Sequence, residues 1–296
     1  MRKPEWALIQ YAAAGTPSVA GVESGGTVFA LPPGWPTTVL EIVQKWRELE
    51  PELRNLRPET LEPVQDAVLI APLTYPSKVV CAGANYYDHA EEMGAERPDP
   101  SAPPYFFLKP PTTTIVGHGS DVEIPTDVDL RIDWEIELGV VIADRIRDID
   151  EESALDHVAA YTVANDLSAR GLFHRDDAVF PAFAWDWLSH KGLDGFCPLG
   201  PGIVPAWLVP DPGALRLQLR VNGAVKQDST TANLVVGIAR LIAAASRFVT
   251  LEPGDVILTG TPAGVGTPKN EFLAVGDRME AEIDGLGLLA NRLVAR

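Results

Sequence analysis

Five short segments of this chain carry side chains that could do chemistry together. The first is Asp133-Trp-Glu-Ile-Glu-Leu-Gly-Val-Val-Ile. On a strand, alternate side chains share a face, so Glu135 and Glu137 point one way while Ile136 and Leu138 point the other. Two like charges side by side repel, and a hard divalent cation between them would turn that repulsion into ligation. Taken alone, the pattern favours a plainer reading, a half-exposed strand with Glu on its wet side. The second segment is Tyr161-Thr-Val-Ala-Asn-Asp, an apolar strand ending at Asn165-Asp166. An acid at a strand end is a frequent functional position, yet Asn-Asp is also ordinary turn chemistry. The third places His89 and Glu92 three residues apart on a presumed helix, where a carboxylate could orient an imidazole as a general base. A surface His-Glu pair is the commoner case. The fourth offers Lys191 beside glycine turns, and the fifth is the Gly-rich loop Leu258-Thr-Gly-Thr-Pro-Ala-Gly-Val-Gly, suited to close backbone approach to a ligand. That loop lacks the Lys and spacing of a P-loop, which excludes nucleotide binding of that kind.

The elements that must position these groups are mostly strands. The periodicity predicts two or three short strands over residues 1–30, then a helix over 37–49 capped by Thr37 or Thr38. A connector containing Pro72 and Pro76 follows, and the domain boundary is placed there: a small N-terminal α+β domain over residues 1–75, and a second domain over 76–296. In the second domain, strands are expected at 78–82, 105–108, 121–124, 134–142, 255–259, 278–283 and 288–294. Helices are expected at 85–93, 153–160 and 234–249. Short strands with few long helices argue for a β-rich α+β fold.

The bulk composition narrows the function. Lys plus Arg total 24 against 41 Asp plus Glu, giving a formal charge of −17. A field of that sign repels phosphate backbones, so no nucleic-acid partner is expected. An anionic substrate would need a local cation, which a bound metal could supply. Cys81 and Cys197 are the 2 cysteines, too few for a disulfide framework. Both sit in apolar company and read as buried free thiols in a reducing cytoplasm. The first apolar stretch stops at Gln10 and no run approaches the ~20 residues of a span, so neither a signal peptide nor a membrane segment is expected.

Read in order, the motifs resemble the fumarylacetoacetate hydrolase family, specifically bacterial members with a short N-terminal domain. They are Gly-Ala-Asn-Tyr with His89, Phe-Leu-Lys-Pro at 107–110, Glu-Ile-Glu, Asn-Asp-Leu-Ser-Ala-Arg, Lys-Gly-Leu-Asp and Gly-Thr-Pro-Ala-Gly-Val-Gly. The likeness runs from about Pro76 to the C-terminus. It implies a mixed β-sandwich roll for the larger domain, and a homodimer. It also implies that Glu135, Glu137 and Asp166 bind Mg2+ or Mn2+, with Ca2+ able to replace them in a crystal. His89 and Glu92 would form a water-activating dyad, Lys191 would offset developing negative charge, and Thr261 would contact the substrate. Arg170 matches a turn arginine that either touches substrate or braces its loop.

The activity implied is hydrolysis of a C–C bond in a 2,4-diketo acid of the acylpyruvate type, with a pyruvate-type enolate as leaving group. Decarboxylation of an oxaloacetate-like acid, or isomerisation of an unsaturated dioate, is the alternative on this scaffold, and a ligand-binding homologue without catalysis is a third reading. The family's Asp and Gln after the turn arginine are here Gly171 and Phe173. Phe173 is therefore expected to favour a bulky acyl group over oxaloacetate. The aromatics from Phe180 to Trp187 read equally as core or dimer packing and as a pocket wall.

Overall fold

The computed structural model describes residues 1–13 and 18–296. Its largest sheet runs, in spatial order, Thr27–Ala30, Val19–Ser24, Ala7–Ala12, Cys197–Pro205, Val158–Asn165, Ile136–Ile142, Val256–Leu258, Val79–Gly83 and Tyr105–Lys109. A second sheet runs Ala224–Thr230, Arg216–Val221, Arg278–Ile283, Gly287–Ala295 and Asp121–Ile124. A single core joins them, with Leu138, Val140 and Val163 from the first sheet packed with Leu217, Ile283 and Leu293 from the second. The fold is the β-rich α+β arrangement that the pattern predicts.

The two central strands, Ile136–Ile142 and Val158–Asn165, are buried along their whole length. Strands covered on both faces read as continuous apolar runs rather than alternating ones. That explains a correction. The expected helix over 153–160 is a 3-10 turn at Ala154–His157 followed at once by a strand, because Val158-Ala-Ala lies inside the sheet. The expected helix over 37–49 is two helices, Val39–Gln44 and Trp46–Asn55, and the second continues through Pro51. Thr38 caps the first and forms a reciprocal box with Glu41. The helix expected from 234 begins at Ile238, and the one expected over 85–93 spans Tyr87–Glu92, followed by Gly94 at φ +70°. No helix among the described residues is long and apolar enough to cross a membrane.

The N-terminal segment shares the sheet of the remainder. Leu8 pairs with Ile203 across antiparallel strands. Leu8, Ile42, Trp46 and Leu53 pack in one cluster with Cys81, Ala159 and Cys197. Both thiols are free and buried.

Register brings the chemistry to one end of the large sheet. Ile136 lies opposite Asn165 and Glu137 opposite Ala164, so Asp166 follows immediately beyond the pair. Gly139 lies opposite Leu258, and Leu258 lies beside Cys81 of a parallel neighbour. The loops after Leu258 and after Gly83 therefore leave the sheet next to Glu137. Asn85 ties them together. Its Nδ2 donates to the carbonyls of Val236 and Thr259 at 3.0 and 2.9 Å, and its Oδ1 accepts from the Val236 N–H at 2.9 Å. Asn85→Ala would leave three buried backbone groups unpaired, so a loss of roughly 3 kcal/mol is expected. Urea unfolding of wild type and variant measures it.

Candidate metal centre

Glu135, Glu137 and Asp166 each bring a carboxylate oxygen to within 4.8 Å of the others. They are only 7%, 1% and 1% exposed, which removes the wet-strand reading of the Glu-x-Glu pair. The route differs from simple strand alternation. Strand pairing starts at Ile136, so Glu135 lies just before it. Its N–H donates to Asn165 Oδ1 at 2.9 Å, and its carbonyl accepts the Asp166 N–H at 2.8 Å. The turn at 165–166 thus fixes two of the three acids at once. Glu137 is on the strand, and its Oε2 accepts the Gly260 N–H at 2.7 Å. Gly260 sits at φ +95°, and a Cβ there would lie 2.9 Å from the Cβ of Asn85. Only glycine permits that approach.

Three cations surround the acids. Lys191 Nζ donates to Glu135 Oε2 at 2.8 Å and to Asp166 Oδ2 at 2.7 Å. Lys109 donates to Asp166 Oδ1 and, at 3.0 Å, to the Leu167 carbonyl. Arg170 reaches Glu135 Oε1 at 2.6 Å through Nη2 and Asp133 Oδ2 at 3.1 Å through Nε. Asp133 is fully buried and also accepts the N–H groups of Gly266 and Thr267. Burial would raise the Glu135 carboxyl, but Lys191 and Arg170 overcome it and hold the group well below the usual range. Burial would lower Lys191, but Asp166 and Glu135 hold its ammonium above the ordinary value.

Glu137 is the exception. Its partner is a backbone N–H, and among the described residues no Lys or Arg pairs with it. Burial, and then the charges of Asp166 and Glu135, push its carboxyl well above the ordinary value. Four acids therefore face three cations, and Glu137 is the acid left without a counter-charge. A divalent ion fits this deficit. An all-carboxylate donor set without His or Cys suits a hard ion such as Mg2+ or Mn2+.

The remaining predicted residues take varied places. His89 lies within electrostatic reach of Glu135. Its Nδ1 is 3.5 Å from Glu92 Oε2 but makes no hydrogen bond. Both Glu92 oxygens instead accept the Gly264 N–H at 2.9 Å. The helix carrying His89 is further held by Asp88, which accepts from Ser229 Oγ at 2.5 Å and Asn233 Nδ2 at 3.2 Å. Thr261 donates its hydroxyl to the Ile136 carbonyl at 2.9 Å and accepts from Gln227 at 2.8 Å. That hydroxyl braces the strand that carries Glu137. Phe173 stacks on His190 at 4.2 Å and meets Trp185 and Trp187 at 4.9 Å each, so its ring packs its own loop. Lys109, Asp133 and Ser168, whose hydroxyl donates to Glu135 at 3.0 Å, were not singled out by sequence reasoning. Only Lys109 left a signal, as a lysine closing an apolar strand before Pro110.

Residues 78–294 match the family described as fumarylacetoacetate (FAA) hydrolase, C-terminal. The chain belongs to the fumarylacetoacetate hydrolase family. Within that family it is 43% identical to a mitochondrial oxaloacetate tautomerase of Xenopus laevis, over 76% of this chain and 68% of the relative. Against the oxaloacetate tautomerase YisK of Bacillus subtilis it is 40% identical, over 78% and 74%. The fumarylacetoacetate hydrolase structure from Exiguobacterium antarcticum superposes with a TM-score of 0.81 at 32% identity, covering 98% of this chain and 100% of that one. A maleylpyruvate hydrolase from Sphingobium, in complex with manganese(II) and pyruvate, gives 0.75 at 28% identity, covering 98% and 99%.

One departure from the fumarylacetoacetate hydrolase pattern has a steric basis. Gly171 donates its N–H to the Leu130 carbonyl at 2.9 Å, and a Cβ on it would lie 2.1 Å from the Asp129 carbonyl oxygen. The backbone of 129–130 occupies the space that a side chain at 171 would need.

His190 supplies a pH test. Burial, then Lys191 and Arg170, pushes its imidazole down to about 3 from 6.5. A depressed pKa means the folded state prefers the neutral ring, so this contribution is fully present above 6.5 and is lost as pH falls toward about 3. The expected outcome is a His190 ring signal in NMR that does not titrate down to about pH 5. Wild-type stability should also fall more steeply between about pH 6.5 and 5 than that of His190→Gln.

Proposed function

We propose that this chain is a divalent-cation-dependent enzyme that interconverts the keto and enol forms of a short 2-keto acid of the oxaloacetate kind. The observation that carries the reading is the buried acid triad, which with Asp133 sets four carboxyl groups against two ammonium groups and a guanidinium. Such a site suits an enolate, whose negative charge is what its cations would stabilise. Relatives at 39–43% identity support the substrate class, since they are named oxaloacetate tautomerases.

When bound, the cation offsets negative charge on the oxygens of the keto acid. Lys191 remains an ammonium between Glu135 and Asp166, so it acts as a charged donor and not as a base. His190 is too weak a base, and its Nδ1 faces the Ala169 carbonyl at 3.2 Å. His89, whose Nδ1 has no hydrogen-bond partner, is the residue left for proton transfer. It takes the proton from C3, the electron pair moves into the C2–C3 bond, and the C2 oxygen gains the proton. The reverse order regenerates the ketone.

A second reading is hydrolysis of an acylpyruvate, with His89 activating water. The 3.5 Å approach of His89 to Glu92 and the likeness to a maleylpyruvate hydrolase favour it. Decarboxylation and dioate isomerisation draw on the same enolate chemistry.

With Mn2+ or Mg2+, ketonisation of enol-oxaloacetate should show a higher kcat/KM than cleavage of acetylpyruvate or a longer acylpyruvate. The opposite ranking would establish the hydrolase reading, and no turnover of any of them would leave a binding protein. His89→Ala should lower kcat by at least about 100-fold while Mn2+ still binds. Glu137→Gln should abolish Mn2+ binding yet raise the Tm of the metal-free protein near neutral pH. The sign follows from the raised carboxyl: the folded state prefers it neutral, and stability is lost as pH rises through its folded pKa.

A further inference from the structure

The strand that carries Glu137 loses a neighbour where the acids begin. On one side Ile136–Ile142 pairs along its length with Val158–Asn165. On the other, pairing with Val256–Leu258 covers Gly139 to Val141, and the Thr259 N–H extends it to the Leu138 carbonyl at 3.1 Å. The chain then turns away at Gly260, at φ +95°. Residues two apart on a strand present their backbone groups to the same edge, so the next groups due a partner there belong to Ile136. Ile136 lies between Glu135 and Glu137 and is fully buried.

A side chain from the second sheet continues the ladder. Gln227, fully buried on the strand Ala224–Thr230, accepts the Ile136 N–H on Oε1 at 2.9 Å. Its Nε2 donates to the Thr261 hydroxyl at 2.8 Å and to the Pro262 carbonyl at 2.9 Å. The Thr261 hydroxyl in turn donates to the Ile136 carbonyl at 2.9 Å. Gly264 lets the same loop come up against this strand, since a Cβ there would lie 2.1 Å from the Lys226 carbonyl oxygen. A carboxamide carries an acceptor and two donors in one plane, and here all three directions are used. Its orientation is fixed, because the Ile136 N–H needs the oxygen and the Pro262 carbonyl needs the nitrogen.

Both peptide planes that flank Ile136 are thereby pinned. The 135–136 plane is held by Gln227 at its N–H and by the Asp166 N–H at its carbonyl. The 136–137 plane is held at its carbonyl by Thr261. These planes set where the side chains of Glu135 and Glu137 leave the backbone. We propose that Gln227 is a positioning residue of the metal centre, holding the Glu-Ile-Glu backbone at the spacing that lets both carboxylates serve one cation. The inference rests on the metal reading above. Groups that orient metal ligands commonly change affinity by about 10- to 100-fold when removed.

The test is calorimetric titration of the metal-free full chain with Mn2+, together with the EPR spectrum of the bound ion and thermal unfolding. Gln227→Met keeps the length of the side chain and removes its three hydrogen bonds. It should weaken Mn2+ binding about 10-fold and alter the EPR line shape. Thr261→Val should act in the same direction, while Thr261→Ser keeps the hydroxyl and should match wild type. Leu53→Ala controls for stability alone: it hollows the N-terminal cluster, so it should lower Tm and leave Mn2+ affinity and spectrum unchanged. Wild-type affinity and spectrum in Gln227→Met overturn the inference whatever its Tm. An equal loss of affinity in Leu53→Ala also overturns it, since the effect then belongs to stability. If Gln227→Met does not fold, Thr261→Val decides, and affinity equal to that of Thr261→Ser overturns the inference. A wild type that takes up no Mn2+ overturns the metal reading and this inference with it.

Discussion

Three carboxylates held together away from water repel one another, and the surrounding structure is organised around containing that repulsion. Each acid is fixed by a different device. Glu135 is held by backbone contacts to the turn at 165–166, Asp166 by two ammonium groups, and Glu137 by the N–H of a glycine that alone fits its place. Because the turn at 165–166 and the loop at 260 follow the two strands that flank Ile136–Ile142, a shift of register among those strands would separate the acids. The continuous burial of the two central strands supplies the rigidity that this demands.

Buried ion pairs of this kind are poor contributors to stability, since the cost of taking charges from water rivals their attraction. Their number here is better understood as a constraint on geometry. Arg170 joins Glu135 to Asp133, and Asp133 in turn holds the N–H groups at 266 and 267. The Gly-rich loop is thereby locked to the acid cluster through one carboxylate. Glu92 secures the same loop from the other side at Gly264. The helix bearing His89 and the strand bearing Glu137 thus share a common anchor.

Much of this was legible in the sequence where the determinants are local. The Glu-x-Glu spacing, the acid at the end of an apolar strand and the Thr38 cap follow from neighbours along the chain, and the order of six motifs carried the family. What was illegible depends on distant pairing. Val158-Ala-Ala reads as helix because a strand buried on both faces has no alternation to reveal it. Asp133 looks like any acid before a strand until the loop at 266–267 closes on it. Lys109 belongs to a strand whose partner acid lies 57 residues away, and no spacing rule connects them. Glu135 faces the same way as Glu137, as the spacing predicts, although its backbone lies just before the strand and is fixed by the turn at 165–166.

Gly171 carries an evolutionary consequence. With the 129–130 backbone 2.1 Å from where its Cβ would be, the acidic residue of the wider family cannot be reinstated here by one codon change without breaking the loop it enters. Two substitutions would have to arrive together, or the segment at 129–130 would have to move first. Position 171 and the segment at 129–130 are therefore epistatically coupled, each fixing what the other can become.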